Sequence, residues 1–211
     1  MSSSSDPRFL VLHGLRLKGF GDAAAVAEAA GVSEADAKPI LDGLIDEELA
    51  TYREGRISGY ALTPAGRVVQ AQLLAEQLEG TGARPAVQAA YERFLGINKD
   101  LLAICTAWQL REVDGESVVN DHSDPAHDAA VIAQLDELHA KVTPICEDLG
   151  TALDRFAGYG PRLAHARERV QAGDVDWFTK PMIASYHTVW FELHEDLLAT
   201  LGIERASEAS G

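Results

Sequence analysis

Three groups of side chains in this sequence have the types and the spacing to do chemistry. Asp121, His122, Asp124, His127 and Asp128 crowd into the polar stretch DGESVVNDHSDPAHD, and each is a metal-ligand type. Their spacing fits no metal motif, and Asp124 before Pro125 reads as the cap of a following helix, so no metal site is expected. A second group, Trp108, Tyr186, His187, Trp190 and His194, combines aromatic faces with polar tips, the material of a small-molecule pocket or of a packed core. His187 and His194 are separated by about 10 Å of helical rise, too far to chelate one ion directly. The third group is basic and hydroxylic. Arg53, Arg56, Ser58 and Arg67, with Ser33 and Lys38 upstream, are donors suited to phosphate oxygens.

The elements that must position these groups follow from caps and periodicity. Asp6 and Pro7 open a helix whose Phe9, Leu12 and Leu15 recur at helical spacing. Asp22 caps a second helix that ends at Gly31, and Ser33 caps a third with Ile40, Leu41, Leu44 and Ile45 as its apolar stripe. Residues 50–53 and 59–62 alternate as two strands around a glycine-containing turn. Thr63 and Pro64 then begin a fourth helix carrying Val68, Leu73 and Leu74.

The run Gly-Tyr-Ala-Leu-Thr-Pro-Ala-Gly-Arg at 59–67 resembles the wing-to-helix junction of winged helix-turn-helix regulators of the MarR and PadR kind. Val-Ala-Glu-Ala-Ala-Gly-Val-Ser at 26–33 resembles their turn. The resemblance covers about a third of the chain. It implies a winged helix-turn-helix domain over 7–79 that binds double-stranded DNA, with the third helix in the major groove and the wing on the backbone or minor groove. It further implies a transcription regulator acting as a homodimer.

Charge complicates that expectation. The net charge is −15, with 7 basic against 12 acidic residues in the first 80 positions and 11 against 21 in the rest. Residues 33–48 hold Lys38 against six carboxylates, so the expected reading helix repels phosphate, whereas Arg53, Arg56 and Arg67 outnumber Glu54 in the wing. A winged helix that binds another protein and not DNA is therefore the alternative.

Beyond a GTGARPA linker at 80–86, every recognisable pattern is helical. The expected fold class is mainly α, a winged helix followed by an all-α bundle over 85–203 that senses a small-molecule effector or dimerises. Its expected helices include 85–113, a segment from 126 interrupted at Pro144, another over 145–156, and a last one over 181–201. The sequence has no nucleophile elbow, phosphate-cradling glycine loop or dinucleotide fingerprint, so neither an enzyme nor a cofactor is expected. Cys105 and Cys146 lie on apolar stripes and are expected as buried thiols. The polar start and the lack of a long apolar run lead us to expect a cytoplasmic protein with no membrane partner.

Overall fold

The computed structural model describes residues 6–113 and 115–205. The protein is mainly helical, with two small antiparallel hairpins. It divides into two compact units. Among the described residues, one comprises 6–85 together with 152–155 and 194–205; the other comprises 86–151 and 156–193. The segment 85–203, expected as one domain, thus contributes Pro85, 152–155 and 194–203 to the first unit.

In the first unit, α1 (Pro7–Lys18), α2 (Ala23–Ala30) and α3 (Glu34–Asp46) precede a hairpin of β1 (Ala50–Arg53) and β2 (Gly59–Leu62), followed by α4 (Pro64–Thr81). Short polar side chains start these helices, because the first turn leaves N–H groups without partners. Asp6 accepts from Arg8 N, Asp22 from Ala25 N, Ser33 from Asp36 N and Thr63 from Gly66 N. Gly31 ends α2 in the left-handed region at φ 67°, where a Cβ would be strained. The core joins Val11, Leu12 and Leu15 of α1 to Val26 and Ala30 of α2, Leu41 and Leu44 of α3, and Tyr60 and Leu62 of β2.

Two glycines fix the hairpin in place. A Cβ on Gly59 would lie 2.7 Å from the Gly21 carbonyl oxygen, where Gly21 and Tyr60 form an isolated bridge. A Cβ on Gly66 would lie 2.0 Å from the Leu49 carbonyl oxygen. The hairpin register pairs Ala50 with Leu62 and Arg53 with Gly59.

The second unit is built on α5 (Arg84–Gln109), α6 (Pro125–Ala152), α7 (Tyr159–Gln171), the single turn α8 (Asp176–Thr179) and α9 (Tyr186–Leu201). The part of α9 from His194 onward belongs to the first unit. Four expectations are corrected here. First, the unit is not all-helical: α5 stops at Gln109, and β3 (Leu110–Val113) pairs with β4 (Glu116–Val119). The hairpin turns through Gly115 at φ 84°, a geometry that glycine adopts without cost. Second, Pro144 does not interrupt α6. Proline costs a helix interior about 3 kcal/mol, but Val142, Ile145, Cys146 and Leu149 around it are buried, and each such burial returns about 1.5–3 kcal/mol. Third, the helix expected over 145–156 is not a separate one: residues 145–152 are the end of α6, and a 3-10 turn, Asp154–Phe156, follows. Fourth, α9 starts at Tyr186 and not at Pro181, after a turn in which Met182 has φ 69°.

Candidate functional site

The basic and hydroxylic group is spread over α3, the β1–β2 hairpin and the start of α4. Ser33 is committed to its cap, accepting from Asp36 N at 3.1 Å and donating to the Asp36 carboxylate at 2.6 Å. Lys38 is exposed, but its ammonium lies 3.4 Å from Asp42 Oδ2 and 3.5 Å from the Tyr60 hydroxyl. Hydrogen bonds to Tyr60 and Asp42 push its pKa up, so it stays charged and tethered. Ser58 closes the hairpin tip, accepting from Gly55 N at 3.2 Å and donating to Gly55 O at 3.3 Å. Arg53, Arg56 and Arg67 are exposed, and among the described residues no ion pair engages any of them. The remaining exposed positions of α3, Glu34, Ala35, Asp36, Pro39, Asp42 and Asp46, supply carboxylates and no further cation.

The aromatic group is divided between packing partners. Trp108 is buried, stacks on Phe178 with centroids 4.4 Å apart and meets the His122 ring at 4.5 Å. Trp190 is buried against Phe94, and its indole N–H donates to Asn98 Oδ1 at 2.9 Å. Tyr186 has no exposure, and its hydroxyl lies 3.3 Å from His139 Nδ1; burial pushes its pKa upward. His187 is half-buried, with its pKa lowered by desolvation. His194 belongs to the first unit, so the five candidates are not one cluster. Both thiols are buried and pushed up to about 12 by desolvation, so Cys105 and Cys146 are neutral and inert.

The metal-type residues of the 120–128 segment are bound to one another and to the chain. The Asn120 amide donates to Trp108 O and Asp128 Oδ1, His122 Nδ1 lies 3.0 Å from Asp128, and Asp121 takes Arg111 at 3.1 Å. Asp124 caps α6, and His127 Nε2 lies 2.8 Å from Ala107 O. Among the described residues no group of three or more His, Cys, Asp or Glu is placed to hold a metal ion.

Two arrangements are not foreseen by the sequence. The first is a buried polar network inside the first unit. His13 of α1 receives the Gln70 amide of α4 at 2.9 Å on Nδ1, and its Nε2 faces Asp196 of α9 at 3.0 Å. Arg155 binds Asp196, Thr200 and Gln77, the last at 2.9 Å. The side chains of Arg155 and Asp196 are each only 2% exposed, which makes this a fully desolvated ion pair. Burial raises the Asp196 pKa, but the Arg155 guanidinium and His13 outweigh it and hold the carboxyl below the usual range. Desolvation lowers the pKa of His13. The only sequence signal is polar residues on apolar helical stripes.

The second is a groove of about 570 Å³ in the second unit, between the latter half of α6 and the start of α7. His139, Cys146 and Glu147 line it from α6, and Gly160 and Ala164 from α7; none of the five aromatic-group candidates does. His139 joins the groove to the Tyr186 hydroxyl and so links this cavity to one of the residues expected to bind a ligand. No protein family, curated protein or solved structure matches the chain.

Proposed function

We propose that the protein is a transcription regulator in which residues 7–79 form a winged helix-turn-helix domain that binds double-stranded DNA through its wing, the β1–β2 hairpin. The helical remainder senses a small molecule or dimerises. The observation that carries this reading is the state of Arg53, Arg56 and Arg67, three exposed guanidinium groups at the hairpin and the start of α4 without an ion-pair partner among the described residues. In a chain of net charge −15, arginines left unneutralised beside an acidic helix are available to an anion. Phosphate oxygens suit their forked donors.

In this mode the wing does the binding and α3 contributes little. Lys38 is tethered to Asp42, and Ser33 is occupied as a cap. Affinity is then mostly electrostatic and sequence preference weak, because phosphate contacts position a protein without reading bases. The test is binding to duplex DNA measured against salt. The affinity must fall as salt rises, and Arg53→Ala with Arg56→Ala must lower the slope of log affinity on log salt by about 0.9 for each phosphate no longer neutralised. Absence of binding at low salt overturns the reading.

A second reading, a winged helix that serves as a protein-interaction module, draws on the exposed carboxylates of α3, Glu34, Asp36, Asp42 and Asp46. It takes precedence if no duplex binds at low salt and reversal of these carboxylates to lysine creates DNA binding that the natural chain lacks.

A further inference from the structure

We propose that the groove between α6 and α7 is a binding site for a lipophilic organic cation. Its volume, about 570 Å³, lies within the range of small-molecule sites. Small residues make its walls. A Cβ on Gly150 would come 3.1 Å from the Ala157 Cα, and one on Gly160 would come 3.4 Å from the Cys146 Cβ, so the backbones of the two sides approach closely at the floor. The space above that floor is left open by Ala157 and Ala164, which carry no bulk to fill it.

The electrostatics select the sign of the ligand. Glu147 is the single carboxylate among the lining residues; it is exposed and has no ion-pair partner among the described residues. Among the described residues no Lys or Arg lines the groove. Neighbouring cations are already committed, Arg167 to Asp136 at 2.6 Å and Arg162 to Glu192 at 2.6 Å. His139 is held neutral by desolvation and presents an aromatic imidazole, while the neutral Cys146 thiol adds polarizable apolar surface. Glu147 repels an anion, and a neutral ligand would leave that carboxylate unused. A hydrophobic cation uses both the apolar walls and the charge.

The inference rests on the effector reading for its biological role, but occupancy of the groove does not require DNA. The test is calorimetric titration of the full chain with tetraphenylphosphonium and with tetraphenylborate, two ions of nearly the same shape and opposite charge. The cation is expected to bind and the anion not. Glu147→Gln should weaken the cation about fivefold, Glu147→Lys should abolish the preference for it, and Ala164→Trp should block the groove. Glu76→Lys, an equal charge change at an exposed site on α4, should leave binding unaltered. Because Ala164→Trp can perturb folding, its melting temperature is measured alongside, and the two Glu147 variants carry the test independently. Equal binding of both ions, or wild-type cation affinity in Glu147→Lys, overturns the site. A chain that binds the cation but no duplex at any salt sinks the DNA reading alone; one that binds duplex but not the cation sinks this site alone.

Discussion

Asp196 is the buried carboxylate at the centre of the first unit's polar network. Its carboxylate faces Arg155 and His13 with 2% of the side chain exposed, and Thr200 on the same helix returns a hydrogen bond. Removing one partner from a buried pair leaves the other charge desolvated, which costs about 3–5 kcal/mol. Asp196→Asn should therefore lower stability by about that amount in urea unfolding. Since the folded pKa lies below the unfolded one, the stabilisation is present above about pH 4 and is lost as the pH falls further. The histidines act in a separate window. Desolvation lowers the pKa values of His13, His139 and His187, so below about pH 6.5 the unfolded chain binds more protons than the folded one. Stability should fall as the pH drops from about 7 to about 5, and an unfolding midpoint that stays level or rises across that interval would contradict the assignment.

Among the elements, the β1–β2 hairpin and α4 show how far local sequence reaches. Residues 59–67 announce a strand, a cap and a helix start because each feature has a local cause: Thr63 accepts from Gly66 N, Pro64 fits the first turn, and Gly66 leaves room for the Leu49 carbonyl. Gly66→Ala should cost about 3 kcal/mol or more, since its Cβ would meet backbone that cannot easily yield. Thermal unfolding checks this, and a variant that melts like the natural chain would show that α4 shifts freely. The β3–β4 hairpin turns through Gly115, but the apolar period of α5 running up to Trp108 masks it in the sequence. Pro144 misleads for a different reason. Its local penalty is real, and the stripe that overrides it becomes visible only when α6 packs. The basic and hydroxylic candidates are readable as types, but which of them are already engaged is not: Ser33 and Lys38 are held by Asp36 and Asp42 on their own helix, whereas Arg53 and Arg56 have no such ion-pair partner among the described residues. The His13 network is illegible because it joins residues far apart in sequence, and the groove, lined within 139–164, because its open space depends on how the end of α6 and the start of α7 pack.

At the scale of the whole molecule, the first unit is discontinuous. Its polar network draws His13, Gln70 and Gln77 from one stretch, Arg155 from a four-residue return and Asp196 and Thr200 from the end of α9. A fragment ending at residue 85 keeps α1 to α4 but strips the buried His13 of Asp196 and the half-buried Gln77 of Arg155. Such a fragment should melt well below the full chain, or without a cooperative transition, when followed by circular dichroism. A fragment as stable as the full chain would mean that the network is dispensable.

The return of Arg155 and α9 to the first unit also orders events during synthesis. His13 leaves the ribosome 142 positions ahead of Arg155, which lies beside it in the network, and Asp196 emerges later still. At translation rates of about 5–20 residues per second, α1 to α4 wait several seconds with their buried polar groups open. The helices of the first unit that are made first are thus completed by α9, and a chain cut short before Asp196 would leave His13 and Arg155 without their carboxylate.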